Sequence, residues 1–188
     1  MNNKITLINS LRADWGRLSI LMGRPEIPLQ LKSFFSPRFV HIVLIRCSHT
    51  LYIKNHLNLA KVLSLLNFLI FGIEVPSCLS IGPGLVIPHP QGIVMGANVI
   101  GSNLTIFHQV TLGAKSLDFS YDLKSRPIIL NNVTISTGAK ILGSVIIGNS
   151  CVIGANAVVL VDIPDNSRAV GVPAKITHLA LNSFEDGL

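Results

Sequence analysis

Apolar residues recur at a six-residue interval between Pro127 and Pro164. The branched aliphatic members of the series stand at every sixth position: Ile129, Ile135, Ile141, Ile147, Ile153 and Val159. A second apolar residue precedes each of the last five by two places: Val133, Ala139, Val145, Cys151 and Ala157. A helix repeats its apolar face every 3.6 residues and a strand every second residue, whereas a period of six is typical of a hexapeptide-repeat solenoid. We therefore predict a parallel β-helix in which three hexads form one triangular coil of about 18 residues.

The same period extends upstream, with one shift of register. One series holds Ile81, Ile87 and Ile93, and a second holds Ile100, Ile106 and Leu112. The spacing places the break between Ile93 and Ile100, just after His89. The polar segment 113–127 then interrupts the period, and we interpret it as a loop. A long excursion from a compact solenoid is usually functional.

The first 73 residues carry a helical pattern. Apolar positions three and four apart predict a helix over 1–24, a second over 38–54 and a third over 58–71. Gly72 is the expected stop of the third helix. We divide the chain into a helical region (1–73), a solenoid (74–176) whose last segment, 170–176, is a closing strand, and a tail (177–188).

Charge is concentrated in the helical region. Residues 1–73 contain nine Lys or Arg and two acidic residues, a net charge of +7, whereas residues 74–188 have a net charge of −1. Two roles remain open for the basic helices. They can cap the open end of the solenoid and mediate oligomerisation, or they can rest on an anionic membrane.

Other sequence features restrict the setting of the protein. The three cysteines lack the spacing of a disulfide framework, which favours a reducing compartment. The first ten residues lack the pattern of a signal peptide, and the longest apolar run, Val62–Ile73, is too short to span a bilayer. We expect a cytoplasmic protein, peripheral at most at the inner face of the membrane, with no nucleic-acid partner.

Few residues are candidates for chemistry, because the chain lacks the common phosphate-binding, zinc and nucleophile motifs. His89 lies between two prolines at a predicted corner. His108 follows 19 residues later, so it should lie on the adjacent coil and the same face. Glu74 precedes His89 by 15 residues. A carboxylate beside a histidine makes a general base, whereas a corner histidine bonded to a backbone carbonyl would be structural, and spacing alone leaves both open.

Several segments resemble the serine acetyltransferase family of left-handed β-helix, hexapeptide-repeat acyltransferases, which includes O-acetyltransferases of polysaccharide gene clusters. They are LRADW, GIEVPSCLSIGPGLVIPHPQGIVMG, TIFHQVTLGA, GAKILGSVIIG, VIGANAVVL and IPDNSRAVGVPAKI. The resemblance implies a mainly β fold, a left-handed parallel β-helix with an N-terminal α-helical region. It also implies a homo-oligomer, a trimer or a dimer of trimers, with acetyl-CoA bound in a groove between neighbouring solenoids.

The resemblance also assigns roles to residues. It implies His89 as the catalytic base and Glu74 as its orienting carboxylate, where the family usually has Asp. The segments that match the cofactor side of the family contain Gly113, Ala114, Lys140 and Lys175. No metal is expected.

The acceptor site departs from the family pattern. Arg126 stands directly before Pro127, where serine acetyltransferases carry a second histidine, and the preceding loop is longer and contains Phe119 and Tyr121. We take His108, Arg126 and Tyr121 as candidate acceptor-binding residues. The leading hypothesis is therefore an acetyl-CoA-dependent O-acetyltransferase acting on a sugar hydroxyl of a surface polysaccharide or its precursor. The alternatives are an L-serine O-acetyltransferase of cysteine biosynthesis and a non-catalytic or metal-binding trimeric solenoid.

Overall fold

Three α-helices open the part of the chain that the structure describes, which is residues 6–178 of a computed structural model. They are α1 (Leu7–Leu21), α2 (Val40–Ile53) and α3 (Leu57–Phe71). These bounds confirm the three predicted helices, except for the start of the first, which lies outside the described residues. Gly72 ends α3 in the left-handed conformation with φ 66°, which glycine adopts without a steric cost.

Fourteen short strands follow within the described range. They are β1 (Ile73–Glu74), β2 (Ser80–Ile81), β3 (Ile93–Met95), β4 (Val99–Ile100), β5 (Thr105–Ile106), β6 (Thr111–Gly113), β7 (Ile128–Ile129), β8 (Thr134–Ile135), β9 (Lys140–Leu142), β10 (Ile146–Ile147), β11 (Val152–Ile153), β12 (Val158–Val159), β13 (Ser167–Val170) and β14 (Lys175–His178). They form the three sides of a prism. The first face is β1-β3-β6-β9-β12, the second is β10-β7-β4-β2 and the third is β14-β13-β11-β8-β5. The pairs are parallel except β13–β14.

The inward aliphatics of the hexads fill the prism, but the break in register has two parts, and only one of them lies between Ile93 and Ile100, where the sequence placed it. Met95, rather than Ile93, is the partner of Leu112 on the first face. Met95 follows Ile87 by eight positions instead of six, so the two extra residues lie in the corner 88–92, which carries His89. Ile93 is also fully buried, but it occupies the position of the second apolar residue of a hexad, two places before the inward-pointing one. Met95 precedes the next inward residue, Ile100, by five positions instead of six, so one residue is missing where the sequence placed the break. The net shift of one position combines this deletion with the insertion at 88–92, which the sequence did not reveal because an aliphatic residue satisfies either inward position.

A buried ion pair joins the helices to the first coil. Both carboxylate oxygens of Asp14 accept from Arg46, Oδ2 from Nε at 2.8 Å and Oδ1 from Nη2 at 3.0 Å. Asp14 also accepts the backbone N–H groups of Gly84 and Leu85, each at 2.8 Å. Arg46 donates to the carbonyl of Gly82 at 2.7 Å. One cluster thus joins α1, α2 and the corner after β2.

The closing segment is a hairpin and not the single strand predicted for 170–176. β13 and β14 pair antiparallel, with Val170 opposite Lys175. Gly171 has φ 96° and Pro173 has no N–H to donate, so the chain turns between them. Ala174 then donates its N–H to the carbonyl of Val158 at 2.9 Å, which fixes the hairpin on the last coil.

Helix α3 leaves an apolar face in solvent. It buries only Ala60 and Asn67, and Lys61 is its single charged residue. The exposed side chains of this face are Leu59, Val62, Leu65, Leu66, Phe68, Leu69 and Ile70. Among the residues described, none of the helices has both the length and the apolar character needed to cross a bilayer.

Candidate active site

His89 projects from the expanded corner between the third and first faces. Its side chain is exposed, and the prolines on either side restrict its backbone. Gln91, in the same corner, accepts the N–H of Gln109 from the next coil at 2.8 Å, and Ile93 donates to the carbonyl of Gly72 at 3.3 Å. The corner is therefore bonded to the next coil on one side and to the end of α3 on the other. The side chain of His89 faces outward from it.

His89, His108 and Thr137 form a column on this corner, one from each of three successive coils. The two imidazole centroids are 5.9 Å apart with perpendicular rings, which confirms that the histidines lie on adjacent coils and the same side. Thr137 donates its hydroxyl proton to the His108 carbonyl at 3.2 Å, and its oxygen lies 2.9 Å from His108 Nε2. His108 Nδ1 is buried without a hydrogen-bond partner among residues 6–178.

Glu74 and His89 are not hydrogen-bonded to each other in the described part of the chain. Glu74 alternates with buried Ile73 on β1 and is exposed, so it projects from the flat first face, whereas His89 lies at the corner that precedes this face. No hydrogen bond or ion pair joins them in the described part of the chain. Glu74 instead lines a groove beside Lys61 and Phe68 of α3. Its orienting role remains a prediction.

A cleft of about 300 Å³ opens beside His89, between α1, the residues before α2 and the third face. Its apolar lining includes Leu21, Met22 and Phe107, and its basic lining is Arg17 and Arg38. Sequence analysis missed both arginines, because they are brought to the histidine only by the packing of the helices on the coils. This cleft, which we call the acceptor cleft, makes room for a small molecule next to an exposed imidazole.

Arg126 is occupied within its own loop. It donates to Asp118 Oδ2 at 2.7 Å and to the carbonyl of Gly96 at 3.1 Å, and its guanidinium lies 3.7 Å from the centroid of the Tyr121 ring. Gly96 permits this approach, since an added Cβ would meet the guanidinium at 2.8 Å. A hydrogen bond from Ser120 and the pairing with Arg126 lower the pKa of Asp118.

Tyr121 also holds the loop to the solenoid. Its hydroxyl donates to the carbonyl of Ala97 at 2.9 Å, and burial raises the pKa of Tyr121 to about 12. Arg126 and Tyr121 therefore lie together at the corner that follows β3, whereas His89 lies at the corner that precedes it. Within one chain they organise the loop, and their role in binding an acceptor remains a prediction.

The candidate cofactor residues separate into two groups. Lys140 donates to the carbonyl of Gln109, at the corner of the histidine column. Lys175 follows Ala174, which bonds to the strand partner of Lys140, so the two lysines lie near the same edge of the last coils. Gly113 and Ala114 lie at the opposite edge of the first face, where an added Cβ at Gly113 would meet no atom within 4 Å. No cluster of three metal-ligating side chains occurs among residues 6–178.

Sequence comparison finds relatives along most of the chain. A model of the bacterial transferase hexapeptide (six repeats) family matches residues 126–160. A serine acetyltransferase of Buchnera aphidicola subsp. Schizaphis graminum is 36% identical, over 96% of this chain and 69% of the relative. One of Helicobacter pylori strain J99 is 42% identical over 69% of this chain and 75% of its own length. One of Bacillus pumilus is 38% identical, but the chain spans only 59% of it.

Solved structures agree with these matches. Serine acetyltransferase of Neisseria gonorrhoeae superposes with a TM-score of 0.80 at 31% identity, covering 94% of this chain and 67% of that one. The same enzyme in complex with serine gives 0.76 at 31% identity, over 90% and 68%. A serine acetyltransferase in complex with CoA gives 0.77 at 29% identity, over 93% and 71%. The predicted fold class, a left-handed parallel β-helix with an N-terminal helical region, is confirmed.

Proposed function

This chain belongs to the serine acetyltransferase family of acetyl-CoA-dependent acyltransferases, and from that premise we propose that it transfers an acetyl group from acetyl-CoA to the hydroxyl of L-serine. The predicted family and enzyme class are confirmed by relatives that this chain matches over more than two thirds of their length. The sugar acceptor of the leading hypothesis receives no support from these relatives, which are named for serine. The alternative acceptor, L-serine, is the better supported.

One observation carries the proposed chemistry: an exposed imidazole, His89, lines a cleft large enough for a small acceptor. His89 takes the proton from the acceptor hydroxyl, and the oxygen attacks the thioester carbonyl. The new carbon–oxygen bond forms, the carbon–sulfur bond breaks, and His89 returns its proton to the CoA thiolate. Backbone or side-chain donors stabilise the oxyanion in reactions of this type.

A second candidate acceptor, a saccharide hydroxyl, is favoured by the state of Arg126. The family histidine that precedes this proline helps to hold the amino acid, and here an arginine replaces it. That arginine pairs with Asp118 and stacks on Tyr121, so it is not free within its own chain to pair with serine. A longer loop with exposed Phe119 offers an aromatic face for a sugar ring.

Thiol release from acetyl-CoA decides between the two acceptors. L-Serine is compared with nucleotide sugars and oligosaccharides, and a reaction without acceptor corrects for hydrolysis. Mass spectrometry of the product locates the acetyl group. Saturable turnover of L-serine supports the proposal. Turnover of a sugar without turnover of L-serine would support the saccharide acceptor instead. Thiol release that no acceptor accelerates would contradict both candidate acceptors.

Membrane contact is a separate proposal. The basic excess of residues 1–73 and the exposed apolar face of α3 support peripheral binding of the helical region to an anionic bilayer. Flotation with phosphatidylserine-containing vesicles tests it. Vesicles of phosphatidylcholine alone are the control, and equal flotation with both would remove the electrostatic part of the argument.

A further inference from the structure

We propose that Arg38 is a specificity residue that pairs with a carboxylate of the acceptor in the acceptor cleft, beside His89. The inference rests on the proposed function, because it names the class of acceptor: a small hydroxyl compound that carries a carboxylate. L-Serine and uronic acids share this chemistry.

The lining of the cleft carries positive charge. Two guanidinium groups line it, from Arg17 and Arg38, and none of its described lining residues is acidic. The other lining residues are apolar or neutral, apart from His89. A concave site with fixed positive charge and apolar walls favours an anionic ligand, because the charge is poorly screened there.

The two arginines of the cleft have different roles. Arg17 donates to the carbonyls of Gly84 and Leu104, at 2.7 Å and 2.9 Å, and to the hydroxyl of Thr105 at 2.8 Å. These bonds attach α1 to two coils and use the guanidinium as a structural donor. Arg38 is exposed and makes no hydrogen bond within the described part of the chain. Its fork of N–H donors therefore remains available for a carboxylate, which it can bind through two parallel hydrogen bonds.

The backbone at Arg38 is held in place by its packed neighbours. Phe39, the next residue, is fully buried. Its ring meets Trp15 and Phe34 edge-on, at centroid distances of 5.2 Å and 6.4 Å. The backbone of Arg38 is thus anchored beside a packed aromatic cluster while its side chain lines the cleft. An anchored backbone lowers the entropy that the side chain loses when it pairs with a ligand.

The volume of the cleft suits a small ligand. A volume of about 300 Å³ is at the lower end of the range for ligand pockets, which begins at roughly 300 Å³. An amino acid or a single monosaccharide unit fits such a volume, whereas a longer glycan would extend out of it. A small acceptor whose carboxylate pairs with Arg38 would remain within the cleft that His89 also lines.

The test combines a charge-removing variant with neutral analogues of the acceptor. Arg38→Gln is compared with Arg12→Gln, which removes an exposed arginine of α1 that does not line the cleft. The carboxylate probes are L-serine and D-glucuronate, and the neutral probes are glycerol and D-glucose. Calorimetry without acetyl-CoA gives Kd for each probe, and thiol release gives kcat and KM.

We expect Arg38→Gln to raise Kd and KM for the carboxylate probe that binds the wild type by about tenfold or more, the scale of a charged hydrogen bond. The KM for acetyl-CoA, kcat and the affinity for the neutral probes should be unchanged. Arg38→Lys should recover part of the loss, and Arg12→Gln should match the wild type. Whichever of L-serine and D-glucuronate binds the wild type more tightly identifies the source of the carboxylate.

Equal affinity of wild type and Arg38→Gln for both carboxylates would overturn the proposal. A loss that is equally large for the neutral probes would also overturn it, since it would show that Arg38 only shapes the cleft. If the wild type acetylates none of the probes, the proposed function fails for them, and the calorimetric comparison still decides the role of Arg38. Carboxylate binding that Arg38→Gln loses and Arg12→Gln keeps would then support it, and absence of carboxylate binding to the wild type would contradict it.

Discussion

At the scale of single residues, the proposed chemistry depends on one expanded corner. Two additional residues between Ile87 and Met95 lengthen the corner that carries the exposed His89, whereas the neighbouring His108, one coil later, is bonded to Thr137. One imidazole is therefore exposed and the other is engaged. A general base must reach the proton of its substrate, and this distinguishes His89 from His108.

Replacement of His89 by alanine should lower kcat by at least about two orders of magnitude, the usual contribution of a general base. Binding of CoA, measured by calorimetry, should change little. His108→Ala should keep more activity than His89→Ala, and Glu74→Gln should also lose less. Near-full activity of His89→Ala together with an inactive His108→Ala would show that the other histidine is the base.

His41 should make stability depend on pH. It is fully buried, its Nε2 lies 3.2 Å from the carbonyl of Ile87, and burial lowers its pKa to about 4, whereas an unfolded chain has a histidine pKa of about 6.5. The unfolded state binds the proton more tightly, so the contribution of neutral His41 to the free energy of unfolding is complete above pH of about 6.5. This contribution, about 3 kcal/mol, is lost as the pH falls towards 4.

Urea unfolding at several pH values measures this loss. His41→Gln, which keeps a donor for the Ile87 carbonyl, should flatten the dependence between pH of about 6.5 and 4. His56→Gln replaces an exposed histidine and should leave the dependence as it is. An unfolding free energy with the same slope in His41→Gln as in the wild type would assign the effect to other groups.

At the scale of elements, the helices and the coils form one unit through Asp14 and Arg46. The ion pair is buried, with side-chain exposures of 0% and 6%, and its members also bond to the backbone of the first coil. Removal of one partner leaves a buried charge without compensation. The resulting loss of stability is larger than the net contribution of the intact pair to the free energy of unfolding.

Asp14→Ala should therefore lower the free energy of unfolding by about 3–5 kcal/mol, because it strands the guanidinium of Arg46. Chemical denaturation monitored by circular dichroism measures the change. Asp14→Leu combined with Arg46→Met should be more stable than Asp14→Ala, since the charge is removed with its partner. Arg12→Ala, on the exposed side of the same helix, is the control. If Asp14→Ala is as stable as Arg12→Ala, the cluster does not join the two parts.

The sequence predicted the elements well where a period repeats and less well where it breaks. The hexads predicted the strands from Ile129 to Val159 because each inward aliphatic has one geometric role. At the corner of His89, either Ile93 or Met95 could point inward, and only the strand partners decide. The approach of Arg38 to His89 had no sequence signal, because it depends on how two helices pack on the coils.

At the scale of the whole molecule, the candidate residues lie on two edges of the first face. His89 and Lys140 lie at the edge before it, whereas Gly113 and Arg126 lie at the edge after it. One chain thus separates groups that the family resemblance assigns to one reaction. In an oligomer, a neighbouring copy could bring its Gly113 and Arg126 edge next to the His89 and Lys140 edge of this chain.

We therefore predict a homotrimer, or a dimer of trimers, in solution. A cyclic arrangement of identical subunits gives each copy the same completed groove. Multi-angle light scattering at micromolar concentration measures the mass. Mixed trimers of His89→Ala and Arg126→Ala chains should recover activity if the two edges meet between subunits. A monomer that turns over acetyl-CoA would contradict the shared groove.

The place of His89 on the first coil has a consequence for how the molecule loses activity. A solenoid is a linear stack in which each unit contacts only its neighbours, so it can fray from an end. The lower neighbour of this coil is not another coil but the helices, which are fixed to it by Asp14 and Arg46. We expect detachment of the helices to release the corner that carries His89 while the upper coils stay intact. Heat inactivation and loss of the β-helix are then two separate events, and the first depends on the helices.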